Sequence, residues 1–175
     1  LKQLLQAHKG KKPVIATDGV WGISGDIPPL KEISNLAKEF NTELFIDDAH
    51  GVFALGKTGR GAAEHCGLLP GDATILGSMS KALGCSGGLL VGRAELVDRF
   101  RRNDTTSGST TSSVPTVAAS LRSLEIIRAE PERRSRLFQV ANKMRQILLK
   151  RDIKTADQNS MIIGMCLKDE FEAAK

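Results

Sequence analysis

Two short apolar runs with an amphipathic stretch between them constrain this chain more than any other feature. Pro13-Val-Ile-Ala-Thr-Asp-Gly-Val20 and Glu43-Leu-Phe-Ile-Asp47 have strand length and strand composition. Between them Leu30, Ile33, Leu36, Ala37 and Phe40 recur at helical spacing, with Lys31, Glu32, Asn35, Lys38 and Glu39 on the opposite face. Pro28 and Pro29 suit the start of that helix, and Asn41-Thr42 ends it. Strand, helix, strand at this spacing predicts a right-handed crossover between parallel strands. The expected fold class is α/β, a mainly parallel sheet between helices. Sheets of this kind bind ligands beyond the carboxyl ends of their strands. Asp47, Asp48 and His50 sit at such an end.

Asp47 and His50 are separated by an odd number of residues, so an unbroken strand would point them to opposite faces. To act on one ligand the chain must turn between them, and Ala49 and Gly51 allow that turn. Alone, each residue has a plainer reading. His50 also suits an imidazole satisfied by a backbone carbonyl, and Asp47 suits a cap or turn.

The second informative stretch is Asp72-Ala-Thr-Ile-Leu-Gly-Ser-Met-Ser-Lys-Ala-Leu-Gly-Cys-Ser-Gly-Gly-Leu-Leu-Val-Gly92. Two strand-like runs flank a small, polar, glycine-rich centre that carries Lys81. A strand, a tight loop and a second strand would hold that amine at a sheet edge among hydroxyls and backbone N–H groups. A lysine so placed can lose its proton and form a Schiff base with an aldehyde cofactor. An ordinary surface lysine in a turn has the same local pattern.

Composition narrows the class. The 175 residues are 41% hydrophobic and 26% charged, as in a soluble globular domain, and no apolar run has the length of a membrane span. Leu1-Lys-Gln-Leu-Leu5 is no signal peptide and reads as the end of an amphipathic helix, so the chain is expected to be an interior piece of a longer polypeptide. The net charge of +5 falls in clusters such as Arg99, Arg101 and Arg102, but aromatics are only 4%, which argues against nucleic acid. Solvated helix faces account for the clusters, and an anionic small substrate is compatible with them. Cys66, Cys85 and Cys166 match neither a disulfide framework nor a zinc pattern. A reducing compartment follows, with the cytoplasm as the expected location, and no metal site is expected.

Gly51-Val-Phe-Ala-Leu-Gly-Lys-Thr58 matches the phosphate-loop pattern G-x-x-x-x-G-K-T after a strand. The mechanism behind that pattern is missing. Its cradle would be bulky and apolar, and Gly59-Arg60-Gly61 breaks the helix that should begin there. Further on, 61–67 reads as a helical turn and 92–102 as a helix with Leu96, Val97 and Phe100 inward. Residues 104–113 are a Ser/Thr-rich segment, either a linker or a hydroxyl-lined loop that touches an anion. Val117, Ala118, Leu121 and Leu124 mark one helix; Leu137, Val140, Ala141, Met144, Ile147 and Leu148 mark another. Met161–Leu167 reads as a last strand and Glu170 as the start of a helix. The break at Pro131 divides the chain into 1–130, part of a larger domain, and 131–175, a linking helix and the start of a smaller α+β domain.

Together these segments resemble the central part of the α-oxoamine synthases, pyridoxal-phosphate (PLP) enzymes of fold type I. The resemblance rests on Thr17-Asp-Gly-Val20 with Gly25-Asp26; Asp47-Asp-Ala-His-Gly51; Gly56-Lys-Thr-Gly-Arg-Gly61 with Glu64; Gly77-Ser-Met-Ser-Lys-Ala-Leu-Gly84 with Gly87-Gly88; and the Ser/Thr loop before Pro115. It implies that Lys81 anchors the cofactor, that Asp47 pairs with the pyridine nitrogen, and that His50 contacts the ring hydroxyl or the substrate. It implies that Ser78 holds the phosphate, with Thr111 and Ser112 reaching a phosphate across a homodimer interface. The implied activity condenses a glycine- or alanine-type amino acid with an acyl-CoA; a class I/II aminotransferase or a non-catalytic subunit of the same fold are the alternatives. Mitochondrial location would follow if a transit peptide precedes Leu1. Three departures stand out. Gly22 replaces a usual serine. The loop before Pro115 lacks the usual aromatic residue and second proline. The family's stacking residue and its carboxylate-binding arginine would lie upstream of Leu1 and downstream of Lys175.

Overall fold

The computed structural model describes residues 1–103, 112–156 and 159–165. Four strands, β1 (Val14–Asp18), β2 (Glu43–Asp47), β3 (Thr74–Ser78) and β4 (Gly88–Val91), form one sheet in the order β1-β2-β3-β4. β1, β2 and β3 are parallel, and β4 runs antiparallel to β3. The connections explain the directions. The stretches between β1 and β2 and between β2 and β3 carry helices α2 (Leu30–Glu39) and α3 (Ala62–His65), long enough for crossovers. β3 and β4 are joined only by the loop 79–87, which suffices for an antiparallel pair.

Alternation along β2 builds a layer on each face of the sheet. Leu44 and Ile46 are buried in one cluster with Leu30 and Ala37 of α2, and Ile33, Leu36 and Phe40 pack against it. Phe45 has the opposite parity and meets Phe100 of α4 (Ala94–Arg101) edge to face, ring centroids 6.3 Å apart. The predicted apolar face of α2 and the Phe100 side of α4 are therefore the faces the sheet uses. α1 (Lys2–Ala7) adds Leu5 to the core.

Three expectations need correction. The first strand runs into its turn within 13–20 as expected, but it is not buried throughout: Val14 is 60% exposed, and β1 lies at the sheet edge with a neighbour on one side only. Residues 161–164 form no strand; the segment makes one isolated bridge, Thr155 with Met165. Its carbonyls are taken instead by the Arg145 guanidinium, which donates to Ser160 O and Ile162 O. A Cβ on Gly164 would also come within 2.8 Å of Ile23 O, so the loop at 21–26 packs closely against this segment.

The third correction concerns the long helices α5 (Val114–Ala129) and α6 (Glu132–Leu149), which break at Pro131 as expected. The stripe read from their spacing is mostly not the buried one. Of its members Val117, Leu121, Leu137, Val140, Met144 and Ile147 are exposed and Ala141 is buried, while Phe138, outside the stripe, reaches the core. The helix expected from Glu170 and residues 104–111, with Thr111, lie outside the described residues. Among the described residues no helix is long and apolar enough to cross a membrane.

β2 bears most of the sheet's packing, so a truncation there should cost the most. Ile46 is fully buried, and Ile46→Ala should lower stability by about 2–5 kcal/mol, read as a shift of the urea midpoint at unchanged m.

Candidate functional site

The site is assembled by a reversal at the carboxyl end of β2. The Asp48 N–H donates to Leu76 O of β3 at 2.8 Å, the last rung between these strands. The Gly51 and Val52 N–H groups then donate back to Asp48 O at 3.1 and 3.0 Å, so the chain turns at once. Asp47 Oδ1 accepts the Ala49 N–H at 3.1 Å, a side-chain turn of the kind aspartate favours. This is the turn that the odd spacing of Asp47 and His50 requires.

On the neighbouring strand, β3 ends at Ser78, and the loop after it folds on itself. The Met79 N–H donates to Gly87 O at 3.0 Å, Cys85 N–H to Met79 O at 2.9 Å, and Gly84 N–H to Lys81 O at 3.2 Å. Ser78 Oγ accepts the Ser80 N–H at 3.1 Å and lies 2.7 Å from Ser80 Oγ. Lys81 thus leaves a closed loop, and its Nζ stands 3.1 Å from His50 Nε2. The two stretches singled out in the sequence meet at this contact. Ser112 belongs to the same neighbourhood, with its Oγ 3.8 Å from where a Cβ on Gly87 would stand.

Electrostatics suit the contact. Burial lowers the His50 pKa below its usual 6.5, and the Lys81 cation lowers it further, while Asp18 and Asp47 pull upward. The ring is therefore neutral at pH 7 and offers Nε2 as an acceptor to the Lys81 amine. Lys81 and Asp47 are open to solvent and His50 is half-buried. Amine, imidazole, carboxylate and the Ser78 and Ser80 hydroxyls share one edge of the sheet, at the ends of β2 and β3. Such a set can receive an aromatic aldehyde that carries an anion. Beside it lies a hollow of about 390 Å³ whose wall includes Asp18, Trp21, Gly22 and Asp26. A larger cleft of about 800 Å³, lined by Val52, Phe53, Ile75 and Leu89 among others, contains none of these site residues.

Two features of the site could not be ranked from the sequence. Gly22 stands against the imidazole, and a Cβ there would lie 2.7 Å from His50 Nε2. The glycine in place of a serine is thus matched to the ring position seen here. Asp48 is fully buried, accepts the Ala62 N–H through Oδ2 at 2.7 Å, and leaves Oδ1 without a hydrogen-bond partner. Burial pushes its acid up to about 7, against the opposing pull of the Ala62 and Gly51 N–H groups. The sequence signals were its place at the strand end beside Asp47 and its membership of the Asp47-Asp-Ala-His-Gly51 segment, neither of which assigns it a role.

The formal phosphate loop is filled from within. The Glu64 carboxylate accepts the Thr58 N–H, the Thr58 hydroxyl and the Arg60 N–H at 2.8 to 3.2 Å. Burial raises the Glu64 pKa, but those hydrogen bonds and the Arg60 charge outweigh it and hold the acid below its usual range. The Thr58 N–H is thus committed to a protein carboxylate and the Val52, Phe53, Ala54 and Leu55 N–H groups to backbone carbonyls, and the next helix begins at Ala62 rather than at Gly56-Lys57. Among the described residues no group of three or more His, Cys, Asp or Glu side chains could hold a metal ion.

The sequence model of the aminotransferase class I and II family matches residues 1–173. The 8-amino-7-oxononanoate synthase of Methylococcus capsulatus is 39% identical over 139 residues, 78% of this chain and 36% of that protein. That of Thermosipho melanesiensis is 33% identical over 169 residues, 96% of this chain and 43% of that protein. Among solved structures, a serine palmitoyltransferase from S. paucimobilis with a bound PLP–myriocin aldimine is similar over 99% of this chain and 47% of its own, at 26% identity and a TM-score of 0.86. The chain spans less than half the length of each of these relatives.

Two outcomes test the local geometry. Gly22→Ser should displace the imidazole, break its contact with Lys81 and raise the His50 pKa toward 6.5, read from the ring-proton shifts on pH titration. For Asp48, the unfolded acid sits near 3.8 and the folded one near 7, so the folded chain holds more protons between these values. Its contribution to stability is therefore lost as pH rises from about 4 to about 7. Asp48→Asn should flatten that part of the profile of urea midpoint against pH.

Proposed function

Because the chain belongs to the class I and II aminotransferase family, we propose that it forms the lysine-bearing part of a PLP-dependent acyltransferase. The reaction would join a glycine- or alanine-type amino acid to an acyl-CoA thioester, releasing CoA and CO2 and leaving an α-oxoamine. The observation that carries this reading is the 3.1 Å contact of Lys81 with His50, set one short turn from Asp47. The names of the relatives favour acyl transfer over amino transfer.

The residues fit the cofactor's functional groups one by one. Lys81 supplies the primary amine that an aldehyde needs. Asp47, at the end of β2, supplies the carboxylate that a pyridinium nitrogen needs, and its exposed side chain is free to present one. His50, neutral at pH 7, can hydrogen-bond a phenolic hydroxyl or a substrate carboxylate. Ser78 and Ser80 offer hydroxyl donors to a phosphate, and Ser112 stands near the same loop. Bound PLP supplies an electron sink that stabilises negative charge at the amino acid's α-carbon. Lys81 would take and return the proton at that carbon, and His50 would share it through Nε2, 3.1 Å from the amine. Thr111, a homodimer with the site at the interface, and a smaller domain beginning after Pro131 belong to the same proposal.

Release of free thiol from an acyl-CoA decides between the readings. With PLP and glycine or alanine, the protein should liberate CoA, and Lys81→Ala should lower the rate by about 100-fold or more. Borohydride reduction should fix the cofactor on Lys81 and leave Lys81→Ala unlabelled. Amination of a 2-oxo acid without thiol release would establish the aminotransferase instead, and labelling of Lys81→Ala at the native yield would remove Lys81 as the anchor.

A further inference from the structure

Asp48 lies in the chain between Asp47 and His50, two of the side chains that the proposed function uses, and it is closed to solvent. Its backbone holds β3 through Leu76 and closes the turn through Gly51 and Val52. Its side chain reaches a third element, the start of α3, through the 2.7 Å bond from the Ala62 N–H. One residue therefore ties the turn 47–51 to β3, the strand that leads into the Lys81 loop, on one side and to α3 on the other.

The surroundings are shaped to this carboxylate. A Cβ on Gly19 would stand 2.3 Å from Oδ1, a Cβ on Gly51 2.1 Å from Oδ1, and a Cβ on Gly61 1.9 Å from Oδ2. Gly61 has φ of +90°, so its place is restricted by backbone as well as by space. Three glycines from three separate segments thus leave room for one acid. That room is costly, because a buried carboxylate with an unpartnered oxygen is destabilising, and an apolar side chain would avoid the cost.

We propose that Asp48 is a positioning residue, whose caged carboxylate locks the 47–51 turn onto α3 and so sets His50 against Lys81 and Asp47 toward the same ligand. The inference rests on the reading of Lys81, His50 and Asp47 as one site. Its first test needs no cofactor. The charged groups that face His50 are Lys81 from the β3–β4 loop, Asp18 from β1 and Asp47 from β2, with Asp48 behind the turn. Below about pH 7 the Asp48 acid is itself protonated, so exchanging it for a neutral amide changes little of the charge around His50. Releasing the turn would raise the His50 pKa, because the ring would leave Lys81 and enter solvent.

The experiment follows the His50 ring protons on pH titration in the full chain, beside thermal unfolding and a PLP absorbance titration. Asp48→Ala should remain folded, move the His50 pKa up toward 6.5 and weaken PLP binding by about tenfold. Asp48→Asn keeps an acceptor for Ala62 and should leave His50 at or below its native value, with PLP binding within about threefold. Gly19→Ala lies outside the turn and acts on it through the cage, so it should also move His50 upward. An unchanged His50 titration in folded Asp48→Ala, or equal upward shifts in Asp48→Asn and Asp48→Ala, overturns the proposal. Should Asp48→Ala fail to fold, Gly19→Ala and Asp48→Asn decide it by the same signs. If the native protein binds no PLP, the reading of the site fails, while the His50 titration still decides the role of Asp48.

Discussion

A strand that stops in the middle of a sheet must dispose of its backbone groups within a residue or two, and the way β2 does so governs the rest of this molecule. The bond from the Asp48 N–H to Leu76 O and the two bonds returning to Asp48 O end the strand and reverse the chain over four residues. A gentler exit would satisfy the same groups with water but would leave His50 far from Lys81. The tight exit costs conformational freedom, and the buried Asp48 side chain adds a desolvation cost. Both costs are borne at the edge of the best-packed strand, where Leu44 and Ile46 supply the compensating burial.

The part of the fold legible in the sequence is the part governed by short-range periodicity. Leu30, Ala37, Leu44 and Ile46 lie where their spacing places them, because each pattern repeats within one element and its partner is the next element along. The contact of His50 with Lys81 was not read from any local pattern, since only the family resemblance put the two in one site. It becomes intelligible once β2 and β3 are seen as neighbours. Both residues sit at the ends of adjacent strands, and topology brings such ends together. Asp48 and Gly22 were not legible either. Their roles depend on approaches between segments remote in sequence, which no local pattern encodes.

The long helices mark the opposite limit. Periodicity finds an apolar stripe on α6 but cannot say which neighbour covers it. Phe138 and Ala141 turn toward the core and Arg145 reaches the carbonyls at Ser160 and Ile162, while Leu137, Val140 and Met144 are exposed. The choice follows from Arg145. A guanidinium that satisfies two carbonyls of an irregular segment fixes the rotation of the helix, since no apolar contact would replace those bonds if the helix turned by one position. The same guanidinium takes the Ile162 carbonyl, one of those a strand through 161–165 would have offered to a neighbour.

The glycine at position 22 shows how a missing side chain can be part of a site. A serine there would offer a hydroxyl, but its Cβ would occupy the space His50 now fills. The chain holds a half-buried, neutral imidazole in contact with an amine, and that state depends on close packing around the ring. Desolvation is the largest cause of the lowered His50 pKa, and the Lys81 cation only adds to it. Widening the site to hydrate the ring would restore its basicity and put a positive charge next to the lysine, where the two would repel. Gly22 on one side and the Asp48-locked turn on the other thus serve the same end by opposite means, one by making room for the ring and the other by keeping it from leaving.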